Sequence, residues 1–203
     1  MTDLERRSSG TGVETRARED GKRTLVGYAS VFNSDAKIGD WYIERVAPGA
    51  FDAALASDVR ALVDHDWGRV IGRTKSGTLR LSVDARGLLA EIDVPDTTEG
   101  RDLMVLVERG DISGMSFGFR VTKQEWDESG ETPVRTILGV DLFEVSAVAF
   151  PAYEDTTLAK RSLDAIRGKV HLRAQNATAA ARRIAEKHAA MEMKFRGIPQ
   201  DAS

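Results

Sequence analysis

Leu79-Arg80-Leu81-Ser82-Val83, the turn Ala85-Arg86-Gly87 and the returning run Leu88 to Val94 decide how this chain folds. Leu79, Leu81 and Val83 point one way while Arg80, Ser82 and Asp84 point the other, the period of two that marks a half-buried strand. The second run supplies an apolar partner, and together they read as an antiparallel pair. Toward the N-terminus, Val70–Thr74 and Val59–His65 read as strands separated by the Asp66-Trp67-Gly68 loop. Before them, Val46–Ala56 places Pro48 in a first helical turn with Phe51, Ala54 and Leu55 on one side, which predicts a short helix. Arg23–Phe32 and Val13–Arg18 form a predicted hairpin around Asp20-Gly21. Residues 1–11 are polar and read as disordered.

Toward the C-terminus, Thr97 or Thr98 caps a predicted helix with Leu103, Leu106 and Val107 as its apolar stripe, and Gly110 stands where a left-handed cap belongs. Strands resume at Met115–Lys123, Thr132–Val140 and Leu142–Phe150. Ser129-Gly130 supplies the first turn, and Pro151 ends the last strand. Many strands with two inserted helices predict the α+β or mainly β class. The expected architecture is a closed or nearly closed β-barrel flanked by short helices, with a helical or disordered C-terminal tail. The expected division is a disordered N-terminus (1–11), a folded domain (12–158) and a basic tail (159–203).

Composition narrows the function. The 203 residues are 41% hydrophobic and 30% charged, and they include no cysteine, which excludes disulfides and thiolate metal sites. No apolar run approaches the roughly 20 residues that cross a bilayer, and the segment Met1 to Ser9 lacks the apolar stretch of a signal peptide. The sequence therefore predicts a soluble cytoplasmic protein with no membrane partner. The net charge of −3 is unevenly spread. Ten Lys/Arg against four Asp/Glu from Lys160 onward give the tail +6, which leaves −9 for residues 1–159. An acidic body argues against nucleic acid as its partner; the basic tail could bind nucleic acid or be a solvated helix.

Gly114-Met115-Ser116-Phe117-Gly118 carries the candidate chemistry. Met115, Phe117, Phe119 and Val121 occupy one face of the predicted strand, Ser116 and Gly118 the other. A serine opposite the core, beside a glycine that leaves room for a substrate backbone, is open to attack, or is merely a small residue tolerated there. Gly-x-Ser-x-Gly also describes the nucleophile elbow of α/β-hydrolases. That elbow needs a helix directly after the serine and a histidine last in the order, and both conditions fail here. Ser113 in the preceding turn is the rival nucleophile.

A serine hydroxyl needs a base, and the base needs an orienting group. His65 is the one histidine of the body; His171 and His188 lie in the tail. It stands between Asp64 and Asp66 at the end of an apolar strand, as a base or as a solvated surface histidine. One histidine with scattered acids has no metal-ligand spacing, so neither metal nor cofactor is expected. Glu144 sits inside the apolar run Leu142–Phe150, where a carboxylate needs a partner. His65 is one candidate and Arg135 another; Asp141 and Asp64 are alternatives for the orienting role.

These segments together resemble the prohead proteases of tailed bacteriophages, the caudoviral capsid maturation serine proteases. The likeness rests on residues 26–33 (Val26-Gly-Tyr-Ala-Ser-Val-Phe-Asn33), 44–51, the Asp64-His65-Asp66 centre, 71–79, 109–119 and 140–153, in the family's order. It implies a β-barrel protease related to herpesvirus assemblin, with His65 as general base and Ser116 as nucleophile. The herpesvirus enzymes use a second histidine as third member. This body has none, so an acid must substitute, consistent with Glu144. The resemblance further implies scaffold protein and the scaffolding segment of the major capsid protein as substrates, self-cleavage, and a location inside the assembling prohead in the host cytoplasm or in a bacterium carrying a prophage. It leaves a homo-oligomer open. A noncatalytic shell or scaffold component with the same barrel is the alternative.

Overall fold

The computed structural model describes residues 4–17 and 23–149, together with Asp164, Arg167, Thr178, Arg182 and Arg183, each in helical conformation. The chain divides into two compact units, Met1–Leu158 and Ala159–Ser203. The first contains His65, Ser116 and Glu144. The Asp20-Gly21 turn, Pro151, His171 and His188 lie outside the described residues.

Among its described residues the first unit has ten strands and one α-helix: β1 (Glu5–Ala17), β2 (Arg23–Val31), β3 (Ala36–Ile38), β4 (Tyr42–Val46), β5 (Arg60–Val63), β6 (Asp66–Arg73), β7 (Leu79–Val83), β8 (Gly87–Asp93), α1 (Thr98–Arg109), β9 (Gly114–Asp127) and β10 (Val134–Val148). The class is mainly β. The pair read first from the sequence is β7 and β8, antiparallel with Leu79 opposite Ile92 and Val83 opposite Leu88. Around it the sheet runs β3-β4-β10-β9-β1-β2-β8-β7, and β5 joins β10 on the side that β4 also uses, with β6 beyond it. Both β4 and β5 lie parallel to β10. α1 is capped as the sequence predicts. The Thr97 side chain accepts from the Gly100 N–H, and Gly110 adopts the left-handed conformation at the other end.

Four expectations are corrected. Residues 5–11, read as disordered, form the first half of β1, in which Glu5 to Ser8 pair with β9. Their polarity misled because Glu5 and Arg7 are buried as ion-pair partners. The predicted helix over residues 46–56 is β4 ending at Val46, a series of turns, and a single 3-10 turn at Ala54–Ala56. Gly49, with φ +87°, interrupts helical geometry directly after Pro48. The two strands expected at Thr132–Val140 and Leu142–Phe150 merge, among the described residues, into one, β10 (Val134–Val148), with register shifts against β9 at Ile137/Gly139, Gly139/Val140 and Leu142/Glu144.

Finally, hydrogen bonding does not close the sheet. Among the described residues β6 ladders with β5 alone and β7 with β8 alone. In place of a ladder, the Arg73 N–H donates to Thr78 Oγ1 at 3.0 Å, while the Thr78 carbonyl is committed to the Asp93 N–H. The sheet is nevertheless strongly curled. β4 and β1 stand three strand spacings apart, roughly 14 Å across a flat sheet, yet Arg7 Nε lies 2.6 Å from Glu44 Oε1. Inside the curl lies the core, with Leu25, Phe51, Leu88, Ile92, Leu103, Met115, Phe117 and Phe119 all buried. Phe117 stacks on Phe119 at 4.7 Å and meets Phe51 edge-on at 5.5 Å.

Candidate active site

β9 and β10 place the candidate residues through their alternation and one irregularity. Leu142 faces Phe119 on the core side. An uninterrupted ladder would bring Phe143 opposite Gly118 and turn Glu144 inward with Phe117. Instead the register shifts between Leu142 and Glu144, so that Glu144 opposes Gly118 and Ser146 opposes Ser116. The extra residue puts Glu144 and Ser146 on the face opposite the core, beside Ser116, a re-aiming that bulges commonly perform. The apolar look of residues 142–150 is thereby explained. Leu142, Val145 and Ala147 are core, and the polar residues between them share the other face.

His65 arrives on a two-residue hairpin. Val63 pairs with Asp66, and the two residues between them, Asp64 and His65, have φ of +50° and +59°. Positive φ at both central residues is the type I′ pattern that suits tight hairpins and favours Asn-Gly. For Asp and His it costs on the order of 1–2 kcal/mol per residue. Three hydrogen bonds fix the turn against β10: Asp64 N–H to the Ala147 carbonyl at 3.0 Å, His65 N–H to Ser146 Oγ at 3.2 Å, and Ala149 N–H to Asp64 Oδ1 at 3.3 Å.

The consequence is a short imidazole–carboxylate contact: His65 Nδ1 lies 2.7 Å from Glu144 Oε1. Glu144 is 1% exposed, and its second oxygen accepts from Ser146 Oγ at 2.6 Å. The imidazole side chain remains 13% exposed, and its Nε2 has no hydrogen-bond partner among the described residues. Ser116 is 3% exposed. Its hydroxyl donates to the Arg7 carbonyl at 2.8 Å and makes no bond to His65. The structure therefore joins His65 to Glu144 and sets Ser116 on the same face of the neighbouring strand, with its hydroxyl turned toward β1.

The rival residues are placed elsewhere. Ser113 is exposed in the segment before β9. Asp141 is exposed opposite Arg120. Asp64 bonds the Ala149 amide and lies near Arg69. Arg135, the alternative partner of Glu144, instead binds Glu5 at 2.7 and 2.9 Å and Glu44 at 2.9 Å. Arg7 completes this buried cluster through Glu5 and Glu44. Burial opposes the charge on Glu5, but Arg135 and Arg7 hold its carboxyl below the usual glutamate value. Burial likewise opposes the charge on Arg135, and Glu5 and Glu44 outweigh it and push its guanidinium upward. Among the described residues no group of three His, Cys, Asp or Glu could hold a metal ion, and no helix is long and apolar enough to cross a membrane.

Gly118 has a different role from the one its sequence position suggests. A Cβ there would overlap Glu144 Oε1 and lie 3.0 Å from Glu144 Cδ, so the space is filled by Glu144 and not by a substrate. Ser146 escaped the sequence reading altogether. Its signal was available: on a strand, a polar residue two positions beyond Glu144 lies on the same face. The Glu5–Arg7–Glu44–Arg135 cluster left no local signal, because Glu44 and Arg135 are distant in the chain from Glu5 and Arg7.

A curled, mainly β sheet thus brings a histidine onto a buried carboxylate, on the face that also carries Ser116 of the neighbouring strand. The chain belongs to the caudovirus prohead serine proteases, whose family model matches residues 11–168. The prohead protease of Enterobacteria phage HK97 is 32% identical over 161 residues, covering 76% of this chain and 68% of that protein. The prohead protease of Escherichia phage T5 is 31% identical over 96 residues, covering 47% of this chain and 42% of that protein. Among solved structures, the capsid assembly protease of bacteriophage T4 matches with a TM-score of 0.48 at 11% identity, covering 72% of this chain and 97% of that one.

Proposed function

We propose that this prohead protease is a serine endopeptidase using Ser116, His65 and Glu144. The observation that carries the reading is the 2.7 Å contact of His65 Nδ1 with the buried Glu144, on the face that also holds Ser116. In the proposed reaction the Ser116 hydroxyl swings from the Arg7 carbonyl toward His65 Nε2. Oγ attacks the scissile carbonyl as its proton passes to that nitrogen. Collapse of the tetrahedral intermediate breaks the C–N bond, and the imidazolium gives the proton to the departing amine. Water then repeats the sequence on the acyl-enzyme and frees Ser116. Glu144 keeps Nδ1–H engaged, so that Nε2 is the basic nitrogen throughout.

By family, the proposed substrates are the scaffold protein and the scaffolding segment of the major capsid protein, cleaved inside the immature shell in the infected cell, with self-cleavage as a further step. The basic tail is proposed to recruit the protease to that shell. Neither the body nor the reaction calls on nucleic acid, a membrane or a cofactor.

Co-expression with the cognate capsid protein tests this reading. Wild type should shorten the capsid protein on a denaturing gel, and a folded Ser116→Ala variant should leave it full length. Complete processing by that variant would remove Ser116 from the mechanism.

A second reading rests on the Ser116–Arg7 contact. If the hydroxyl serves only to tie β9 to β1 in a noncatalytic shell component, Ser116→Ala should lower the melting temperature and change no processing. In the catalytic reading the order of effects is reversed.

A further inference from the structure

We propose that Ser146 is a positioning residue for this chemistry, acting through both His65 and Glu144; the proposal rests on the triad reading above. Ser146 is fully buried, with 0% exposure. Its single hydroxyl proton is given to Glu144 Oε2 at 2.6 Å, and its oxygen accepts the His65 backbone N–H at 3.2 Å. One oxygen atom thus touches the acid and the base together.

The geometry gives each bond a task. With Oε1 on His65 Nδ1 and Oε2 on Ser146, the carboxylate is held at both oxygens and cannot rotate about its terminal bond. The His65 N–H is held where the backbone has φ +59°, a conformation unfavourable for histidine. A hydroxyl can donate once and accept twice, so both bonds are compatible. Its removal leaves a buried carboxylate oxygen and a backbone amide without these partners, and frees the carboxylate to turn. Ser146 also stands directly opposite Ser116 in the β9–β10 register. Displacement of the His65 backbone would therefore shift the imidazole relative to the nucleophile. Ser146 touches no reacting atom in this scheme.

The test measures covalent labelling of the full-length protein by a serine-reactive fluorophosphonate, with the maximal rate and half-saturating concentration resolved separately. Ser146→Ala should lower the maximal rate about 10- to 100-fold, within the coupling range of one hydrogen-bond network, and leave half-saturation within about twofold. In a Glu144→Gln background the same substitution should cost less than about threefold, because the group it acts through is already impaired. An equal loss in both backgrounds would make Ser146 a structural residue and overturn the proposal, as would a wild-type rate for Ser146→Ala.

Should the alanine variant fail to fold, Ser146→Cys asks the same question with nearly conserved volume and a weaker donor. A folded Ser146→Cys protein labelled at the wild-type rate would also overturn the proposal. Failure of the triad itself looks different: the label would be absent from wild type or retained in Ser116→Ala. Normal labelling at Ser116, slowed by Glu144→Gln and indifferent to Ser146→Ala, would leave the triad intact and dismiss Ser146 alone.

Discussion

Gly118 shows how closely the site constrains a single residue. Its missing side chain is the space in which Glu144 reaches His65. Gly118→Ala should therefore force the flexible end of Glu144 aside, break the 2.7 Å contact and reduce capsid cleavage at least about tenfold, the order of effect expected when a group in one hydrogen-bond network is displaced. Thermal unfolding checks the origin of the loss, since the side chain that must move is no part of the apolar core. A variant cleaving at the wild-type rate would show that Glu144 does not need its present position. At this scale the sequence was informative about identity and silent about contact. Ser116, His65 and Glu144 were legible as a serine opposite the core, a lone body histidine and a carboxylate in an apolar run. The partner of Glu144 was not legible, because His65 and Arg135 satisfy a buried charge equally well on paper.

The elements that deliver these residues are the Asp64-His65 hairpin and the shifted register of β10. Both depend on backbone geometry that side-chain patterns do not encode. Alternation revealed β7 and β8 without ambiguity, and the Thr97 and Gly110 caps framed α1, since these are local signals. β3 and β4 were missed because their short polar-apolar runs gain stability from pairing with β10 and each other. The first half of β1 was missed because its charges are neutralised by distant partners. The hairpin yields its own prediction. Asp64→Asn tolerates the left-handed conformation at least as well as aspartate, and its amide oxygen can still accept the Ala149 N–H. Capsid cleavage should stay within about threefold of wild type, the latitude of a substitution outside the coupled network. A hundredfold loss would transfer the orienting role from Glu144 to Asp64.

Across the first unit as a whole, the buried Glu5–Arg7–Glu44–Arg135 cluster ties β1, β4 and β10 of the sheet together. This connects stability to pH with a definite sign. The Glu5 carboxyl lies below the usual glutamate value in the folded protein, because Arg135 and Arg7 outweigh its burial. Its contribution is complete above the unfolded value of about 4.3 and is lost as the pH falls below that toward the lower folded value. Urea unfolding at pH 5 and pH 3 should therefore show a larger loss of stability for wild type than for Glu5→Gln. Equal losses would mean that the cluster does not sense Glu5 protonation. The central claim, that Ser116 is a nucleophile activated by His65, is tested most directly by mapping the fluorophosphonate adduct by mass spectrometry. The account predicts the adduct on Ser116 in wild type and its absence in a folded His65→Ala variant. An adduct on Ser113, or undiminished modification of Ser116 without His65, would contradict it.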